Sequence, residues 1–419
     1  MKVCVIAAIF PPYARGGAET VAAACAQALA GEHEVFVITC APFAGWQSFA
    51  GKWEQLKLMR IFRFTPLNLF TIFNIARYSA ILRLFWHLID MVNPHTYFVV
   101  RRILLSEKPD LILTHNLKGL GYSVHLAIHH SRFIKQFVKQ HSRWLHTIHD
   151  MGALHPTGLK IWGREKSIFQ KNPLVSLYAR INRKLLGDPD VVISPSQFLL
   201  DEYRIRGFFP QSLTAVVRNP VLTEVAEVTK EPEAARGSSA TSGSSDSSVT
   251  FLYVGQLEEY KGVRLLLDVW KDFSAQHSNV MLSIVGDGSL KNEVTRLSQQ
   301  LGRVKYYGFI PHEQLGVIFS GAHFVLIPSL AYENSPTIIG ESFTAGIPVI
   351  ASRIGGIPEL VEHRHSGFLF NPGDRRDLLK VMEEALKSKW ADLSCGAEES
   401  SAVFSLQQYS TTLDSLFKL

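Results

Sequence analysis

Short apolar runs bounded by polar turns recur along the chain, and most are separated by stretches whose apolar residues repeat at helical spacing. Val3 to Ile9, Glu34 to Thr39, Leu111 to Thr114, Trp144 to Ile148 and Val191 to Ser194 are too short for helices and rich in Val, Ile and Leu. They predict strands buried on both faces. A second series follows at Thr250 to Val254, Val280 to Val285, Val304 to Tyr307, Phe324 to Pro328 and Pro348 to Ala351. Strand and helix alternating in this way predict an α/β protein with two parallel sheets, each covered by helices. Ligands of such sheets bind beyond the carboxyl ends of the strands, so two facing domains are expected to share one cleft.

Between the two series lies Arg236 to Ser248, a Gly/Ser-rich stretch with nothing to bury. It predicts a flexible linker or loop. The expected divisions are an N-terminal domain over 1–222, a linker over 223–249, a C-terminal domain over 250–400 and a terminal segment over 401–419. A chain of 419 residues fits two domains of that size. Leu67 to Val92 departs from the alternation: it is largely apolar, and Ser79, Arg83, His87 and Asp90 form one narrow polar stripe at helical spacing. Its charges make it a poor membrane span. An amphipathic helix lying on a bilayer and a helix packed inside the domain or against a second subunit both account for that pattern.

Charge is unevenly distributed. Residues 1–222 carry 26 Lys and Arg against 13 Asp and Glu, a surplus of 13, whereas residues 223–419 carry 17 against 24, a deficit of 7. From Leu111 to His149 there is no acidic residue, but five Lys or Arg and seven His. Such a face suits an anionic membrane surface or a phosphate-bearing partner; no nucleic-acid partner is expected. Cys4, Cys25, Cys40 and Cys395 lack the paired spacing of a disulfide framework or a zinc site, which points to a reducing, cytoplasmic setting. The apolar start stops at Pro11-Pro12, so it reads as a buried first strand rather than a signal peptide.

The densest chemistry lies between Glu333 and Glu341. Ser335 is placed to cap a helix opening at Pro336, with Gly346 and Pro348 ending it about three turns later. Glu333 then lies at the helix mouth and Glu341 inside the helix. Unpaired N–H groups at a helix start suit a diphosphate, while one carboxylate accepts sugar hydroxyls and the other a ribose diol. Gly16-Gly17 after the first strand lets backbone approach a phosphate, and Lys261, before Gly262, is placed to neutralise a leaving diphosphate. His149, at the end of a buried strand, is the best candidate for a functional imidazole; the remaining histidines, His129 and His130 among them, read as surface residues. Asp188-Pro189-Asp190 resembles a metal-binding Asp-x-Asp pair but reads as a turn entering the next strand, and Gly286-Asp287-Gly288 lacks the third glycine of a dinucleotide fingerprint.

Taken together with Lys108-Pro109-Asp110, His115-Asn116, Ser194-Pro195-Ser196, Arg218-Asn219-Pro220 and Gly355-Gly356, these pieces resemble the family 4 retaining glycosyltransferases of the GT-B fold over nearly the whole chain. The resemblance implies two Rossmann-like domains with parallel sheets facing a central cleft, acceptor held by the first and donor by the second, and a last helix, Ser405 to Leu419, returning to the first. It implies that Lys261 binds the donor diphosphate, that Glu333 and the backbone of Asn334, Ser335, Pro336 and Thr337 hold the sugar, and that Glu341 binds the ribose. Gly16 and Gly17 complete the phosphate cradle, Gly286 lies near the nucleotide, and His149 faces the transferred sugar. The donor is a UDP- or GDP-sugar, with no metal or other cofactor. Two positions depart from the family pattern: Gln256 stands where an arginine is frequent, and Glu333-Asn334-Ser335-Pro336 replaces a glycine-richer form.

The expected function is metal-independent, retaining transfer of a sugar to a saccharide or lipid-linked acceptor in polysaccharide, glycolipid or cell-envelope assembly. The expected site is the cytoplasm or the inner membrane face. A GT-B epimerase and a catalytically silent nucleotide-sugar-binding subunit are the competing readings.

Overall fold

The computed structural model describes residues 1–14, 16–135, 142–165, 172–221 and 248–418. The expected linker over 223–249 falls almost wholly outside the described residues, as does Arg15. The chain divides into two compact units: Met1–Leu159 with Lys166–Arg218 and Leu406–Leu419, and Lys160–Glu165 with Asn219–Ser405.

The first unit is built on strands β1 (Lys2–Ile6), β2 (Glu34–Cys40), β3 (Lys52–Leu56), β4 (Met59–Phe64), β5 (Leu111–Thr114), β6 (Arg143–Thr147), β7 (Val191–Ser194) and β8 (Leu213–Val216). They form an eight-stranded sheet in the order β3-β4-β2-β1-β5-β6-β7-β8. Every pairing is parallel except that of β3 with β4. The second unit holds β9 (Val249–Val254), β10 (Val280–Val285), β11 (Val304–Tyr306), β12 (Phe324–Ile327), β13 (Val349–Ser352) and β14 (Gly367–Phe370). Its six strands run in the order β11-β10-β9-β12-β13-β14, all parallel.

Period-two alternation divides each apolar strand between two cores. In β9, Phe251 and Tyr253 join Trp270, Phe273 and Phe324 on one face, while Leu252 joins Val325, Ile339 and Phe343 on the other. In β1, Val3 and Val5 serve one core and Cys4 and Ile6 the other. Cys4, Cys25 and Cys40 are free, buried thiols used as small core residues, and Cys395 is exposed.

Two segments join a unit away from their place in sequence. The helix Leu406–Lys418 buries Tyr409, Leu413 and Leu416 in the core shared by Val3, Cys25 and Leu29, and Arg143 Nη1 donates to Phe417 O at 2.6 Å. Lys160–Glu165 belongs to the second unit, where Tyr332 N donates to Lys160 O at 2.9 Å and Trp162 N to Leu330 O at 2.8 Å. Asp188 and Asp190 serve the turn into β7, where Asp190 pairs with Arg132 at 2.9 Å and accepts from Trp144 N at 2.7 Å.

Leu413 is fully buried, so Leu413→Ala is expected to cost about 2–5 kcal/mol, lowering the urea midpoint of the first unit.

Candidate active site

In the second unit the loops after β9, β10 and β12 bring together residues far apart in sequence. β9 ends at Val254, and the chain passes through Gly255 and a short turn, Glu259–Lys261, into the helix Val263–Gln276. Gly262 connects them with a φ of +75°, and a Cβ there would lie 1.8 Å from Pro328 O. Only glycine allows this approach. Lys261 is thereby directed at the loop after β12. Its Nζ lies 2.7 Å from Glu333 Oε1, and Ser329 Oγ donates to the same carboxylate oxygen at 3.0 Å. Burial lowers the basicity of the Lys261 ammonium, but attraction to Glu333 and their hydrogen bond outweigh it, and its pKa ends above the ordinary lysine value. The pair is a partly enclosed ammonium and carboxylate that satisfy one another.

Glu333 lies in the loop before the helix Thr337–Thr344, and Glu341 lies within that helix. The main chain of Glu333 is held from behind: Gly356 N donates to Glu333 O at 2.8 Å, and Gly355, with a φ of +59°, would place a Cβ 2.1 Å from that same oxygen. The helix differs from expectation at its start. Pro336 occupies the cap position with φ −60° and ψ 120°, and no side chain caps the helix. Ser335 is one residue too early: its carbonyl accepts from Asn219 Nδ2 at 3.2 Å, and its buried Oγ has no partner among the described residues. The helix is eight residues long, a little over two turns. Asn334, Ser335, Pro336 and Thr337 still form its mouth, which leaves first-turn N–H groups without a side-chain partner.

Glu341 is buried, with its Oε1 3.2 Å from His312 Nε2. Sequence reasoning passed over His312; the signal was its place beyond the carboxyl end of β11. Gly286 closes β10, its N–H donating to Gly308 O at 2.8 Å and its carbonyl accepting from Tyr306 Oη at 3.0 Å. Gln256 is held by Tyr260, whose hydroxyl lies 2.6 Å from Oε1. Nearby in sequence, Arg264 pairs with Glu293 at 3.4 Å.

The first unit gathers a different set. Gly16 precedes the helix Gly17–Leu29, and a Cβ on Gly16 would meet Glu19 Oε2 at 2.7 Å. The Glu19 carboxyl is raised, first by burial and last by the Asp150 charge. His149 follows β6, and its Nε2 lies 3.0 Å from His115 Nδ1, the two rings stacked at 5.3 Å and 23°. His149 is enclosed by protein without being sealed from solvent, and burial pulls it down to about 4. It is therefore neutral at physiological pH. His129 and His130 are exposed as expected. His115, His125 and His146 are instead buried, a departure from the surface positions expected of them. His115 and His146 sit at strand ends, where side chains turn inward, and His125 Nδ1 lies 2.9 Å from Leu186 O.

His149 is disfavoured as a cation in the folded chain relative to a free imidazole near pH 6.5. The unfolded chain therefore binds the extra proton between about pH 6.5 and 4, and stability falls as pH drops through that window. Asp90, raised to about 7 chiefly by burial, acts in the opposite direction, so the difference between variants isolates the imidazole. His149→Asn is expected to flatten the acid limb of stability by up to about one proton equivalent, measured by urea unfolding across that range.

The family model described as Glycosyltransferase Family 4 matches residues 15–225, and the one described as Glycosyl transferases group 1 matches residues 238–399. A 42.6 kDa uncharacterized protein of the cps region of Klebsiella pneumoniae is 22% identical over 364 residues, covering 86% of this chain and 87% of that one. The O-antigen chain mannosyltransferase C of Escherichia coli is 27% identical over 222 residues, 52% of this chain and 56% of its own. Among solved structures, sucrose-phosphate synthase from Thermosynechococcus elongatus superposes with a TM-score of 0.71 at 20% identity, covering 100% of this chain and 98% of that one. Anabaena HepE in complex with UDP gives 0.68 at 20%, covering 100% of both chains. These two likenesses establish the GT-B architecture. The chain is a member of the glycosyltransferases, its first half a Glycosyltransferase Family 4 domain and its second a Glycosyl transferases group 1 domain on the GT-B fold.

Proposed function

We propose that the protein transfers a sugar from a UDP- or GDP-sugar to a saccharide or lipid-linked acceptor, with retention of anomeric configuration and without a metal ion. The carrying observation is the Lys261–Glu333 pair, 2.7 Å apart beside the mouth of the helix Thr337–Thr344. A nucleotide sugar presents a diphosphate for an ammonium and hydroxyls for a carboxylate, and these two side chains match that combination. Cell-envelope or polysaccharide assembly is favoured by the likeness to the E. coli O-antigen mannosyltransferase. HepE was solved with UDP, which favours a uridine donor among the alternatives. The buried free thiols favour a reducing, cytoplasmic setting.

In this reading Lys261 takes the diphosphate together with N–H groups of the helix mouth, and Glu333 accepts hydrogen bonds from the sugar hydroxyls. Glu341, buried and beside His312, accepts the ribose diol. The bond between the anomeric carbon and the diphosphate oxygen breaks, and its electron pair leaves with the diphosphate. An acceptor oxygen bonds the same carbon from the same face, and its proton passes to the departing phosphate oxygen. The negative charge growing on that leaving group is what Lys261 and the helix amides stabilise. To the first unit we assign the acceptor, the Gly16-Gly17 loop and the neutral imidazole of His149.

The test is a panel of UDP-, GDP- and ADP-sugars, read by thermal shift and by nucleotide release in the presence of EDTA. One donor is expected to raise the melting temperature and to be turned over slowly with EDTA present. Lys261→Ala is expected to lower turnover about 10²–10³-fold. Thermal shifts without turnover of any donor, even with candidate acceptors, would instead make the protein a binding subunit.

A further inference from the structure

The segment from Leu67 to Val92 folds with its polarity reversed. After a short turn, Ile72–Arg77, Ser79 occupies the cap position of the helix Ala80–Met91 without a side-chain capping hydrogen bond. The inward side carries Trp86, 1% exposed, and Asp90, 5% exposed, with His87 half-buried beside them. Asp90 Oδ2 accepts from Gly119 N at 3.0 Å, and Trp86 Nε1 donates to Phe70 O at 2.6 Å. Two members of the polar stripe legible in the sequence, His87 and Asp90, therefore lie on the domain side. The outward side is apolar: Ile81 is 69% exposed, Leu84 55%, Phe85 54% and Leu88 55%. Packing against the protein thus leaves the greasier face of the helix uncovered. Nothing in a monomer in water stabilises that arrangement.

A second helix of the same unit, Pro173–Leu186, also has an exposed apolar side. It exposes Leu174 at 70% and Leu177 at 49%. Tyr178, between them and the helix end, donates to Gly152 O at 2.8 Å and lies within electrostatic reach of Asp90, so the inner sides of the two helices are near one another. The charges on these stretches have one sign. Arg77, Arg83, Arg180, Arg183 and Lys184 are all exposed, whereas Asp90, the one carboxylate in residues 67–92, is buried and residues 172–187 contain none.

We propose that the apolar faces of Ala80–Met91 and Pro173–Leu186 form a docking surface for an anionic lipid bilayer, with the helices lying in the interface plane. Charge selects the occupant. A second copy would set this cationic face against its own kind with no counter-charge, whereas anionic headgroups supply that charge and the acyl region takes the exposed Leu, Ile and Phe side chains. No helix among the described residues is long and apolar enough to cross a membrane, so the contact is peripheral. The inference stands on this surface alone and does not need the donor assignment to be right.

The experiment is sedimentation of the full chain with phosphatidylcholine vesicles, with and without phosphatidylglycerol, at low and high salt. The protein is expected to pellet with the phosphatidylglycerol vesicles and to be partly released by salt, since apolar contacts survive screening. Leu84→Glu, Phe85→Glu and Leu88→Glu together are expected to weaken pelleting about tenfold or more. Because these residues are exposed, the variant's melting temperature should match that of the parent, and its melting shift with a nucleotide sugar should persist. Arg83→Gln with Arg180→Gln should lower the preference for phosphatidylglycerol. The proposal is overturned if the parent stays in solution with anionic vesicles or if the triple variant pellets as well as the parent. It is equally overturned if light scattering shows a dimer that the triple variant dissolves and neither protein binds vesicles.

Discussion

Parallel strand pairing is the constraint on which the rest of this protein depends. Each parallel connection must return across a face of the sheet before the next strand can begin, so all carboxyl ends in a sheet point the same way and their loops collect along one edge. In the second unit that edge receives the loops after β9, β10, β12 and β13, which is why Lys261, Gly286, Glu333 and Gly355 occupy one neighbourhood despite their separation in sequence. In the first unit the same rule brings His115, after β5, against His149, after β6, because β5 and β6 pair directly.

Each assembled set is electrically self-contained in a different way. The second unit pairs opposite charges, Lys261 with Glu333, so that neither is stranded in its enclosed position. The first unit avoids charge: burial suppresses protonation of His149, His115, His125 and His146, so a group of imidazoles is held together without mutual repulsion. Their hydrogen bonds then fix tautomers rather than balance charges.

Most of the sheet framework was legible because fully buried strands leave continuous apolar runs. Leu111–Thr114, Val191–Ser194 and Val280–Val285 begin and end where those runs do. Of the strands that were not anticipated, β14 is a buried apolar run of only four residues, Gly367–Phe370, whereas β3, β4 and β8 lack such runs for physical reasons. β3 and β8 lie at the sheet edges, where little of the strand is buried. β4 carries Arg60 and Arg63 within it, and the burial of Arg63 is met by Glu54 of β3 at 2.9 Å and by the Pro11 carbonyl, which accepts from its guanidinium. Of the site, the loop position of Glu333 and the helical position of Glu341 followed from local turn and helix chemistry. The partners did not: Ser329, His312, Asn219 and His115 reach their places through tertiary folding, and the Ser335 cap failed because the helix begins one residue later, at Thr337, with Pro336 in the cap position.

Gly262 and Gly355 have a bearing on how this site can diverge. Both support a residue of the Lys261–Glu333 pair by having no side chain, and in both cases main-chain oxygen occupies the space a Cβ would need. Variation there is blocked by the backbone itself, whatever substrate is selected for. A lineage, or an engineer, seeking a new donor would have to keep these two positions and work through side chains around them, such as Gln256, Asn334 and Tyr332. The loop frame would be inherited nearly unchanged while the chemistry it carries drifts.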